Sequence, residues 1–225
     1  MTAGACITVF GRNEEKISHL IDIAPDRIFA KKFDVLQASS DDGSSLLREG
    51  TNRFGKLDGG VYTAGITGVT PLKHYDAGQA SLILRTSFEG SVSFMRYATK
   101  KKYSNAGASF VLFSSVAAHE GPKGLLFYAG AKAAVEIGVR TMAKEIAGRN
   151  QRVNSVAPAW VDTPMTRNYL MAVGETEENV HTGELGIGST EDISGVVMFL
   201  LSSRARWITG QNFIVDGGYL RGAWN

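Results

Sequence analysis

Tyr128 and Lys132 stand four residues apart in an alanine-rich stretch, Tyr128-Ala-Gly-Ala-Lys132-Ala-Ala. On a helix that spacing puts a phenol and an ammonium on one face, close enough to interact. A neighbouring ammonium favours the phenolate, so the spacing predicts a phenol pKa pulled below its usual value of about 10. Such a phenol gives and takes protons near neutral pH, as carbonyl reduction and alcohol oxidation both require. Upstream, the apolar run Phe110, Val111, Leu112, Phe113 ends in Ser114-Ser115. A hydroxyl at Ser115 can return to the same point in space and donate to the reacting oxygen.

These residues need elements to hold them. The run from Phe110 to Ser115 reads as a buried strand, and Gly121, Pro122 and Gly124 mark the loop that follows it. The helix bearing Tyr128 extends to about Gly148. Before it, strands are expected at Ala5–Phe10, Ile28–Val35 and Leu57–Thr63, and helices at Glu14–Ile23, Ser39–Phe54 and Asp76–Lys102. After it come a strand at Arg152–Ala157, a helix at Thr190–Leu201 and a short strand at Asn212–Val215. Strands alternating with helices of this length predict an α/β fold, a mostly parallel sheet covered on both faces. No linker interrupts the alternation, so residues 1–225 read as one domain.

Composition is consistent with that architecture. The 225 residues are 44% hydrophobic and 20% charged, the balance of a soluble globular protein. A formal net charge of +2 with interspersed signs gives no footprint for nucleic acid or a membrane surface, and Lys100 to Lys102 read as a solvated helix end. Cys6 is the single cysteine, which excludes an internal disulfide framework and fits a reducing cytoplasm. No apolar run reaches the ~20 residues of a membrane span, and no signal peptide is visible. His19, His74, His119 and His181 are scattered, so no metal site is expected; His119 reads as a loop residue facing solvent.

A strand ending in Ser-Ser, a glycine-bearing loop and Tyr-x-x-x-Lys opening an alanine-rich helix resemble the short-chain dehydrogenase/reductase family. The resemblance covers nearly the whole chain and implies a Rossmann-like doubly wound fold with Ser115, Tyr128 and Lys132 as catalytic trio. It also implies a nicotinamide dinucleotide cofactor, a small carbonyl or alcohol substrate, and a homodimer or homotetramer. Several stations match residue by residue. Arg12, after the first strand, resembles the NADP-preferring pattern, since a guanidinium holds a 2′-phosphate bidentately; NAD stays open. Asp34 and Val35 resemble the adenine contact. Thr63-Ala64-Gly65 matches a station where small residues let a cofactor approach the backbone, with threonine in place of the family's asparagine. Ser87 stands where the family has an asparagine that holds a relay water near the lysine. Ala157-Pro158-Ala159-Trp160-Val161-Asp162-Thr163 matches the segment near the nicotinamide, with Val161 and Thr163 at the carboxamide. Ala159 replaces a glycine and is strained there if the position needs a positive φ. Residues 164–189 correspond to a substrate lid, with Met165, Tyr169, Leu170 and Met171 expected on its inner surface.

One family element is not found. The opening strand, glycine-rich turn and first helix, which hold the cofactor pyrophosphate, have no counterpart here. Relative to the family, the fold therefore reads as N-terminally truncated, lacking a strand that is central in the parent sheet. Buried backbone groups left without partners cost roughly 1–3 kcal/mol each. The expectation is that the sheet closes up differently, that a partner supplies a strand, or that the chain is part of a longer protein. Three functions stay in view: the oxidoreductase; a non-catalytic relative kept as a dimerising or binding module; and a hydrolase using Ser115, for which no histidine and acid stand at persuasive stations.

Overall fold

The computed structural model describes residues 4–36, 40–69, 71–176 and 179–222. Every ladder among them is parallel: β1 (Ile7–Gly11) pairs with β2 (Ile28–Lys32), while β3 (Leu57–Tyr62), β4 (Ser104–Phe113), β5 (Arg152–Pro158) and β6 (Asn212–Val215) pair in that order. Helices α1 (Glu14–Ile23), α2 (Ser40–Phe54), α3 (Ala77–Leu84), α4 (Gly90–Ala98), α5 (Ala117–Glu120), α6 (Leu126–Ile146), α7 (Pro164–Val173), α8 (Thr190–Leu201) and α9 (Tyr219–Gly222) connect or follow the strands. The α/β class expected from the alternation is the class observed, in the Rossmann-like form that the resemblance implies.

Alternation along β4 explains the two layers. Phe110 and Leu112 point to one face, where they meet Met95 of α4 and Val135 and Val139 of α6. Val111, one residue out of phase, points to the other face and packs with Ile193, Val197 and Leu200 of α8. Phe110, Val111, Leu112, Val153 and Val156 are wholly buried, as the continuous apolar runs of a sheet covered on both faces require.

The sheet is in two parts. One has 2 strands and the other 4, and among the described residues no ladder joins β1 to β3. The sheet thus does not close up around the element that the resemblance finds lacking. Exposure marks the open edges: Ile7 of β1 and Val61 of β3 are each 37% exposed, whereas Val111 and Val156 at the centre of the larger part are 0%. Side chains span the division instead, with Phe10 and Val35 packing on the same cluster as Leu57 and Ala64, and Arg85 Nη2 donating to the Leu36 carbonyl at 3.1 Å.

Several element bounds differ from the sequence expectation. β2 ends at Lys32 rather than Val35, and β4 begins at Ser104, before its apolar run. The long helix expected over Asp76–Lys102 is a rod in which α3 and α4 flank a π-helical segment, Arg85–Glu89. Asp76 caps its start, accepting from the backbone N–H of Gly78 and Gln79. In the expected lid, α7 forms behind the Thr163 cap, with Pro164 at its start and Gly174 at its end in the left-handed conformation. Ser39, the expected start of the second helix, lies outside the described residues.

Candidate active site

Register brings the carboxyl ends of the larger sheet level: Tyr62 lies beside Leu112, Phe113 beside Val156, and Pro158 beside Val215. The residues that follow these strands therefore meet at one end, the usual place for a ligand crevice in an open parallel sheet. A cavity of about 610 Å³ opens there. Among the expected site residues, its wall holds Ser115, Tyr128, Lys132, Thr63, Gly65, Pro158, Ala159, Val161 and Thr163.

Helix α6 presents Tyr128 and Lys132 on one face, with the Lys132 Nζ 5.6 Å from the Tyr128 ring centroid. Lys132 is 5% exposed, and its Nζ donates to the Phe113 carbonyl at 2.9 Å. The last carbonyl of β4 thus fixes where the ammonium sits, two residues before Ser115. Burial lowers the Lys132 pKa to about 8. The expected depression of the Tyr128 phenol is not observed. Burial pushes it above its ordinary value, and a hydrogen bond with Ser115 offsets that only in part. Desolvation outweighs the ammonium because Lys132 lies over the ring and directs its hydrogen bond to Phe113 instead of the phenol oxygen.

Ser87 lies in the π-helical segment, a local helix form often associated with functional sites. Its hydroxyl is buried and has no hydrogen-bond partner among the described residues. A methyl group added at Gly65 would sit 3.4 Å from Lys132 Nζ and 3.6 Å from Ser87 Oγ, so the three residues border one small space. A glycine cradle beside an ammonium and an unpartnered hydroxyl fits a ribose or a water there. Gly65, Lys132, Pro158, Ala159, Val161 and Thr163, the residues that could hold the nicotinamide end of a dinucleotide, line one cavity wall. Ala159 is unstrained, because Asn150 is the one non-glycine residue at positive φ among those described.

Other expected residues lie away from the cavity wall. Arg12 is exposed after β1. Asp34 accepts the Leu36 N–H at 3.0 Å in a local turn. Val35 and Ala64 pack on the core cluster. In the lid, Met165 and Tyr169 line the cavity and Leu170 is buried, but Met171 is 75% exposed and points away from it. His119 is exposed as expected, but it lies in α5 rather than in a loop, and its Nε2 lies 3.0 Å from Glu136 Oε1. Sequence reasoning missed Glu120, Tyr219, Ile193, Ser194 and Val197 as cavity residues, and named Trp160 only as part of the segment from Ala157 to Thr163. A helix is expected at Thr190–Leu201, but nothing in the spacing says that one of its faces lines a cavity.

Among the described residues no group of three or more His, Cys, Asp or Glu side chains can hold a metal ion. No described helix is long and apolar enough to cross a membrane.

Comparison with known proteins agrees with this geometry. Residues 1–220 match the family model described as enoyl-(acyl carrier protein) reductase. A 3-oxoacyl-[acyl-carrier-protein] reductase of Chlamydia muridarum is 28% identical over 96% of this chain and 87% of its own length. The 7alpha-hydroxysteroid dehydrogenase of Escherichia coli K12 is 30% identical over 96% of this chain and 85% of its own. The solved structure of a short-chain dehydrogenase/reductase from Brucella melitensis, glucose/ribitol dehydrogenase, superposes with a TM-score of 0.88 at 26% identity. That superposition covers 97% of this chain and 87% of the other. The chain belongs to the short-chain dehydrogenase/reductase family, a family of oxidoreductases.

Proposed function

We propose that this protein is an NAD(P)-dependent oxidoreductase that interconverts a secondary alcohol and a ketone, with Tyr128 as proton donor and acceptor. The observation that carries this reading is the meeting of Ser115, Tyr128 and Lys132 on one cavity wall, with Lys132 held to the end of β4. A nicotinamide dinucleotide supplies or accepts the hydride when bound. Ser115 orients the substrate oxygen by hydrogen bonding, and Tyr128 transfers the proton to or from that oxygen. Lys132 carries positive charge beside the phenol and stabilises its ionised form, a contribution that grows as the closed site excludes water. Ser87, facing the same small space, positions a water that returns the proton to solvent. Gly65, Thr63, Ala64, Pro158, Ala159, Val161 and Thr163 hold the nicotinamide end, and Asp34 and Val35 the adenine end. Exposed Arg12 selects the 2′-phosphate of NADP over NAD. We further propose that residues 1–225 act as one domain with 164–189 as the substrate lid, and that the protein works as a homodimer or homotetramer in the cytoplasm.

The test is Tyr128→Phe. It should abolish alcohol and ketone turnover while leaving the folded state and dinucleotide affinity in place; a fully active Tyr128→Phe protein would overturn the proposal. A calorimetric titration with NADPH and NADH tests the cofactor side separately, and tighter NADPH binding that is lost in Arg12→Ala is the expected result. A folded protein binding neither dinucleotide favours the second reading, a binding module.

A further inference from the structure

The cavity wall carries two charged side chains among the described residues, Lys132 and Glu120. Lys132 is accounted for by its bond to the Phe113 carbonyl. Glu120 is not absorbed by the chemistry above. It stands at the end of α5 among three aromatic residues of the same wall: Trp160, Tyr169 and Tyr219. The Tyr219 hydroxyl donates to Glu120 Oε2 at 2.8 Å. The Trp160 and Tyr169 rings lie with centroids 6.0 Å apart at an angle of 46°, an open corner rather than a closed stack. His181 stacks on Tyr219 at 5.5 Å, which fixes that ring from one side. Among the described residues no ion pair involves Glu120.

We propose that Glu120, Trp160, Tyr169 and Tyr219 form a cation subsite, so that the substrate is a ketone or alcohol that also bears an ammonium group. This assignment rests on the oxidoreductase reading of the same cavity. Aromatic faces set at an angle attract ammonium groups through their quadrupoles, and tetraalkylammonium ligands are commonly bound by such corners. A carboxylate beside them adds a direct charge pair, and Tyr219 takes up one of its oxygens while leaving Oε1 for the ligand. The same carboxylate disfavours phosphate- or carboxylate-bearing substrates, so the site selects by rejection as well as by attraction. Separation of the charges along the wall orients the substrate, its oxygen toward Ser115 and Tyr128 and its cation toward Glu120.

The experiment is a ligand-observed NMR titration of the full chain with choline and with its uncharged isostere 3,3-dimethylbutan-1-ol. Choline is expected to bind more tightly by about tenfold, and Glu120→Gln is expected to bring the ratio close to one. Trp160→Leu, a second variant on the opposite side of the corner, should reduce the ratio in the same direction. Equal affinities in the wild type, no choline binding at millimolar concentration, or a ratio unchanged in a folded Glu120→Gln protein would each overturn the assignment. Binding is read without turnover. A chain that keeps the ratio but oxidises and reduces nothing sinks the oxidoreductase reading alone, and an active chain with a ratio of one sinks the cation subsite alone.

Discussion

Ser114 Oγ donates to Glu136 Oε1 at 2.6 Å, a bond between the end of β4 and the helix turn after Lys132. The same carboxylate oxygen accepts from Asn212 Nδ2 at 3.0 Å and lies 3.0 Å from His119 Nε2. One buried oxygen therefore joins β4, α5, α6 and β6 directly behind Ser115. Glu136→Ala removes this shared acceptor and should cost about 1–3 kcal/mol in all, although Ser114 Oγ keeps the Lys132 carbonyl at 3.2 Å and Asn212 Nδ2 keeps His119 Nε2 at 3.2 Å. Urea unfolding measures that loss. Glu136→Gln keeps an acceptor oxygen and should cost less; equal stability of all three proteins would show that the junction does not hold the strand end.

Gly65→Ala separates folding from function. The added methyl meets Lys132 Nζ at 3.4 Å and Ser87 Oγ at 3.6 Å, ordinary contact distances, and Gly65 has no positive φ to strain. Thermal stability should stay within about 1 kcal/mol of wild type. Dinucleotide binding should weaken by tenfold or more, since the methyl occupies the space beside the ammonium. Unchanged affinity for NADPH in a calorimetric titration would show that no cofactor reaches Gly65.

Lys132 makes stability depend on pH. Its amine is buried with a pKa lowered to about 8, against 10.5 for a lysine in an open chain. Between those values the unfolded chain binds the extra proton, so this residue makes stability increase as pH rises through that window. Below pH 8 both states are protonated and the burial penalty is fully present. The melting-temperature difference between wild type and Lys132→Met should therefore shift in favour of wild type from about pH 7 to about pH 10. A difference that does not move with pH would mean that the amine is solvated.

Much of the site is legible in the residues themselves. The Phe110–Phe113 run, the Ser115 station and the Tyr128/Lys132 spacing each report a local property, namely burial, strand end and helix face. Less legible are properties that depend on packing between distant segments. The Tyr128 phenol is pushed up rather than down because burial outweighs its charged neighbour, and a spacing of four shows only the neighbour. Met171 follows the apolar pattern of the lid yet is exposed, because on α7 it stands about 100° round the helix from buried Leu170. Glu120 escapes notice because its aromatic neighbours come from Trp160, Tyr169 and Tyr219, far along the chain.

The divided sheet also sets how the molecule opens. A two-stranded sheet is marginal alone, and β1, α1 and β2 share no ladder with the other strands among the described residues. They form the low-stability end of the structure, a unit able to exchange its amides without global unfolding. Deuterium uptake at Ile7–Gly11 and Ile28–Lys32 should run orders of magnitude ahead of uptake at Ser104–Phe113 and Arg152–Pro158, and equal protection would mean that the two parts unfold together. Arg12 belongs to the labile unit, and Asp34 follows it directly; Ser115, Tyr128 and Lys132 belong to the durable one. On the proposed reading, the groups assigned to the far end of a dinucleotide and those assigned to proton transfer thus lie in parts of the molecule that are expected to open separately.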